Sequence, residues 1–211
     1  MPADAMSYPD PHDDEDVVDD DDEEVDAADE DGVVYPVEET VGETGLQQFV
    51  ILGLMLPLRD YFAAQRRPVL VSTDQFIYYR RGDPTGVVCP DIYLIDGETI
   101  APQDVECWKL WDHDNKPPQL AIEVVSNRTY GKDYNPRTLT RYEELGVREL
   151  IRYDPYLRKR RGRRRRQLTY WVRHADGTLK ERDTSDNRMH SDYFGFWLIR
   201  QPDRSLRMSP D

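Results

Sequence analysis

The chain has 211 residues and a formal net charge of −14, from 42 Asp and Glu against 28 Lys and Arg. Sixteen of the acids lie in residues 1–31, which hold no Lys or Arg, so residues 32–211 carry 26 acids and 28 bases, a balance of +2. Two cysteines exclude a disulfide framework, and their spacing matches no zinc signature.

The leader segment DDEDVVDDDDEEVDAADED has no aromatic residue and few apolar ones. It cannot bury enough surface to offset the entropy of ordering a chain. Residues 1–36 are expected to form a disordered acidic tail, and residues 37–211 one folded domain with a full core. The start of the chain lacks a basic flank and an apolar stretch of the secretory kind. The run FVILGLMLPL (49–58) is too short to span a bilayer. A soluble, cytoplasmic protein with no membrane partner is the expectation.

Gly42-Glu43-Thr44-Gly45 opens a helical stretch in which Leu46, Phe49, Val50, Leu54, Leu58, Tyr61 and Phe62 fall on one broad face. Pro57 should kink or divide it. VLVSTD and QFIYYRR (69–81) predict a strand pair or one bent strand, followed by a turn at Gly82–Gly86. VVCPDIYLID (87–96) predicts the next strand. Residues 98–118 are polar and suggest a long loop or irregular hairpin. QLAIEVVS (119–126) is a second apolar strand. Asn135-Pro136 has the chemistry of a helix start and Gly146 that of its stop. VRELIRYD (147–154), LTYWVRH (168–174) and FGFWLIR (194–200) predict further strands, with a hairpin at Ala175-Asp176-Gly177 and a polar C-terminus. Helix, strands, a strand–helix–strand unit and more strands predict an α/β fold: a mixed sheet flanked by helices.

Two acids stand out. Asp91 lies in VVCPDIYLI and Glu123 in LAIEVVS, each inside an apolar, β-branched run. A carboxylate in a buried strand is costly unless it is paired, hydrogen-bonded or bound to a metal. Two of them on neighbouring strands suggest one shared cation, as metal-dependent phosphodiester cleavage requires. The plainer alternatives are a strand-end acid bonded to nearby backbone for Asp91, and a core or capping role for Tyr142, Trp171 and Ser126.

The ordered series PDIYLI, AIEVVS, Asp133, Tyr142-Glu143-Glu144-Leu145-Gly146-Val147-Arg148-Glu149-Leu150 and Tyr153-Asp154-Pro155 resembles a bacterial family. That family is the putative restriction endonucleases, plentiful in cyanobacteria and part of the PD-(D/E)xK nuclease superfamily. The similarity covers roughly residues 43–200. It implies a restriction-endonuclease-like core and Mg²⁺- or Mn²⁺-dependent hydrolysis of DNA. Asp91 and Glu123 match the two motif acids, both metal ligands. The carbonyl of Val124 or Val125 would complete the protein's ligands, and Glu43 resembles a supplementary acid, although a helix N-terminus also favours an acid there. Two residues after Glu123 the pattern has Lys, where this chain has Val125. In the family that lysine is generally moved to the next helix. Arg137 stands at the shifted position, and Lys132 is the nearest lysine. Either would take the charge-stabilising role, although Arg137 and Arg141 also fit a solvated helix face. An arginine cannot exchange a proton near neutrality. A catalytically impaired, nucleic-acid-binding or regulatory protein is therefore the second reading. Superfamily enzymes often act as dimers, which makes a homodimer an expectation without an identified interface.

Arg158, Lys159, Arg160, Arg161, Arg163, Arg164, Arg165 and Arg166 form a basic block broken only by Gly162. It fits a loop that grips DNA phosphates, a solvated hairpin tip, or a site on which the acidic tail competes with nucleic acid.

Overall fold

A computed structural model describes residues 32–34, 44–126, 135–156, 166–185 and 187–211, together with the backbone of 159–160 and 163–164. Most of the expected acidic tail lies outside these residues. The architecture is α/β, as expected. Its centre is a six-stranded mixed sheet of β1 (Val69–Ser72), β4 (Ile92–Asp96), β6 (Leu120–Val124), β7 (Glu149–Tyr153), β10 (Leu168–Arg173) and β11 (Leu179–Arg182), in that spatial order. Every neighbouring pair is antiparallel except β6 and β7, which run parallel. A parallel pair needs a crossover, and the helix α2 (Pro136–Leu145) lies in that connection. Asn135 caps it by accepting from the Arg137 amide at 3.0 Å, and Gly146 ends it at φ 92°, a left-handed geometry that suits glycine.

The two faces of the sheet follow from strand alternation. Ile92, Leu94, Leu120, Ile122, Val124, Ile151 and Tyr153 point to one side, where α1 (Gly45–Ala64) supplies Val50, Ile51, Leu54, Leu58 and Phe62. Tyr93, Ile95, Ala121, Leu150 and Trp171 point to the other, where α2 supplies Tyr142 and Leu145. The α1 side also receives a three-stranded sheet of β12 (Arg188–Ser191), β13 (Phe196–Arg200) and β14 (Leu206–Pro210). The Glu149 carboxylate, 1% exposed, pins this sheet to the main one. It accepts from the Tyr170 hydroxyl at 2.8 Å, the Ser191 hydroxyl at 2.5 Å and the Tyr193 amide at 2.9 Å. A buried carboxylate with three donors is a satisfied one.

Several expectations need correcting. The helix α1 is not divided: Pro57 lies inside one continuous element. Phe49 is 50% exposed rather than in the core, while Gln47 takes a buried place on the same helix. VLVSTD and QFIYYRR do not pair with each other. A turn at Asp74, φ 51°, separates β1 from β2 (Ile77–Tyr78), and β2 joins a small sheet with β3 (Val87–Val88) and β5 (Trp108–Lys109). VVCPDIYLID is two strands, β3 and β4, because Pro90 has no N–H to continue a ladder. FGFWLIR is not last, since the polar C-terminus forms β14 against it. Cys89 and Cys107 form no disulfide. Extending the small sheet's register by one step sets Cys89 and Cys107 on either side of Phe76. Two strand spacings, about 9.6 Å, are too many for a disulfide.

Candidate metal centre

The site forms where the β4–β6 ladder stops. Ile92 pairs with Ile122, and one further step of the same register sets Asp91 opposite Glu123. Directly opposed residues of an antiparallel pair share a face, with Cβ atoms about 4.5–5.5 Å apart. The ladder ends there because the Asp91 side chain replaces a backbone acceptor: its Oδ2 takes the Val124 amide at 2.5 Å. Its Oδ1 accepts from Gln47 Nε2 at 2.8 Å, so the first turn of α1 reaches Asp91 from the opposite face of the sheet. Asp91 and Gln47 are both buried. Glu123 is half-buried and accepts a hydrogen bond from the Tyr142 hydroxyl of α2. Burial, then the charge of Glu123, their hydrogen bond and the charge of Asp91 hold the Tyr142 phenol well above its usual range. It therefore stays a proton donor to the carboxylate.

Two carboxylates at adjoining positions, each held by fixed donors, form an all-oxygen set suited to a hard cation such as Mg²⁺. Among the described residues no group of three His, Cys, Asp or Glu is placed to hold a metal, so the two acids stand as a pair. Glu43, Lys132 and Asp133 lie outside the described residues. Val124 is buried on β6 with its amide committed to Asp91. Arg137 is exposed. It sits five residues from Tyr142, about 140° round the helix at 3.6 residues per turn, so α2 turns it away from Glu123. Arg141 is exposed too, which fits the solvated face.

In the basic block, the backbones of Lys159–Arg160 and Arg163–Arg164 pair as a short ribbon, β8 with β9. Arg158, Arg161 and Arg165 lie outside the described residues. Arg166 is engaged by surface acids, Asp183 at 2.9 Å and Glu181 at 3.4 Å.

Three residues at or beside the site carry weak sequence signals. Gln47 has one: it shares a helical phase with Ile51, Leu54, Leu58 and Phe62, so a buried amide was legible. Tyr142 reads only as core. Arg152 gives no local sign beyond a charge inside the run ELIRY.

No helix among the described residues is long and apolar enough to cross a membrane. No curated protein matches the chain. The family model described as Uma2, putative restriction endonuclease, matches residues 18–200. With that match over most of its length, the chain belongs to the Uma2 family of putative restriction endonucleases.

Proposed function

We propose that the protein is a metal-dependent endonuclease that hydrolyses phosphodiester bonds of DNA, with Asp91 and Glu123 as the ligands of Mg²⁺ or Mn²⁺. The observation that supports this best is the β4–β6 register, which sets one carboxylate opposite the other. A bound cation of this class lowers the pKa of its water and offsets charge developing on the phosphate. The chain's own residues orient and shield. Gln47 and the Val124 amide fix the two oxygens of Asp91. Tyr142 fixes Glu123 and keeps its own proton. The carbonyl of Val124 lies on the same side of its strand as its N–H. It is therefore the backbone oxygen best placed to join Asp91.

In this reading the basic block from Arg158 to Arg166 holds the DNA backbone, giving affinity that falls with salt. The acidic leader competes with DNA for it. Removing residues 1–36 then tightens DNA binding at low salt, and an unchanged affinity removes the competition idea.

The test of the main reading is cleavage of duplex DNA with Mg²⁺ or Mn²⁺ by the wild type, Asp91→Ala and Glu123→Ala. Cleavage by the wild type alone supports it. Equal behaviour of all three chains, active or inactive, overturns it. The second reading is DNA binding without catalysis. It is favoured by Val125 at the lysine position and by the outward placement of Arg137. Salt-dependent binding without cleavage in either metal would establish it.

A further inference from the structure

We propose that Arg152 is the resident cation of this site, bringing from β7 the positive charge that a lysine two positions after Glu123 would bring from β6. The inference deepens the metal-site reading above and rests on it.

The parallel register of β6 and β7 pairs Glu123 with Arg152. Paired residues on adjacent parallel strands stand about 4.8 Å apart and project from the same face. Glu123 and Arg152 therefore stand side by side on the α2 face, and extending the β4–β6 register by one step sets Asp91 on the other side of Glu123. Alternation supports this independently. Ala121 and Leu150, two residues before Glu123 and Arg152, both belong to the α2-side core. The Arg152 guanidinium carbon lies 4.8 Å from the centroid of Trp171, another member of that core.

Arg152 is only 7% exposed. A guanidinium does not shed its proton in a protein, so burying it is costly unless negative charge lies near. The acid in register with it is Glu123, and Trp171 offers its ring face as a second favourable surface. The charge count agrees: two acids and one fixed cation sum to −1, as two acids and a lysine do. A site with that balance attracts one divalent cation and then, at +1, a phosphodiester anion. Val125 and the outward Arg137 leave this charge unassigned by the motif positions, and Arg152 supplies it from the next strand.

The test measures two affinities on the full chain: Mn²⁺ by calorimetry, and a short DNA duplex in Ca²⁺ by fluorescence anisotropy. Arg152→Lys, Arg152→Met and Arg152→Gln are compared with wild type, with thermal melts checking that each folds. The two neutral variants are read the same way, so one of them suffices. Removing a positive charge about 5 Å from a cation site should tighten Mn²⁺ about tenfold and weaken the duplex several-fold. Arg152→Lys should match wild type in both. These opposite signs are the signature of a resident cation.

Unchanged Mn²⁺ affinity in a folded neutral variant overturns the proposal and leaves the metal site standing. A fall in both affinities marks a packing residue on Trp171 and overturns it as well. If wild type binds no Mn²⁺ and a neutral variant does, Arg152 holds the place of the ion, so this proposal stands and the metal-dependent reading fails. If neither chain binds, both fail.

Discussion

The strand β4 ends in a carboxylate on each side, and the two are treated in opposite ways. Asp96, at its C-terminal end, accepts from Arg67 Nε at 3.0 Å and Nη2 at 2.7 Å, and from the Tyr193 hydroxyl at 2.9 Å. The guanidinium in turn lies 5.1 Å from the Phe194 ring centroid. Asp91, just before the N-terminal end, is held by two neutral donors and set opposite a second acid. A bidentate arginine with a hydroxyl beside it stabilises an ionised carboxylate and ties the segment after α1 to β4 and to the turn between β12 and β13. Two neighbouring carboxylates, by contrast, repel each other when both are ionised. One end of the strand thus stabilises the fold, and the other concentrates negative charge which, on the function proposed above, would bind a cation.

The sharpest way to break this contrast is to remove each acid in turn. Asp91→Ala or Glu123→Ala should cost at least about a hundredfold in metal-dependent cleavage, measured on duplex DNA, with the fold retained by circular dichroism. Arg67→Met should do the reverse. We expect a loss of about 2 kcal/mol in urea unfolding, with Mn²⁺ affinity unchanged. A shift in Mn²⁺ affinity would mean that the two ends are coupled through β4. Tyr142→Phe removes a buried donor from Glu123 and should cost about 1–2 kcal/mol of stability. Its effect on cleavage should exceed its effect on DNA binding in Ca²⁺.

The smallest expected effect is on pH dependence. The Arg67 hydrogen bond leads the causes that hold the Asp96 carboxyl below its usual value, against a smaller opposing push from burial. The folded pKa lies below the unfolded value of about 3.9. The added stability is therefore present above about pH 4 and is lost as pH falls through the lower, folded value. Urea midpoints measured from pH 6 down to pH 2.5 should fall less steeply for Asp96→Asn than for wild type.

How legible these features were depended on how local their causes are. The bounds of α2 are written in Asn135, Pro136 and Gly146, each of which acts on its own backbone. Asp91 and Glu123 were visible because an acid inside an apolar run conflicts with its neighbours. The break between β3 and β4 was also written, in Pro90, yet the continuous apolar pattern around it read as one strand. Arg152 was hidden because its meaning comes from a register between strands 29 positions apart in the chain. Arg137 stands at the motif position, but the phase of its helix decides where it points. The strand β14 is illegible in the sequence because a polar edge strand carries little periodic signal.

The three donors to Glu149 come from β10, from β12 and from the turn after β12. The C-terminal sheet cannot lift away without breaking the Ser191 and Tyr193 bonds to that carboxylate and exposing Met189, Phe194, Phe196, Leu198 and Leu206 to water, which makes partial detachment unfavourable. Both sheets should then melt as a single cooperative unit, so that one calorimetric transition, rather than two, accounts for the described residues. Shortening the chain before residue 188 would expose the same weakness, leaving a truncated product poorly suited to independent folding.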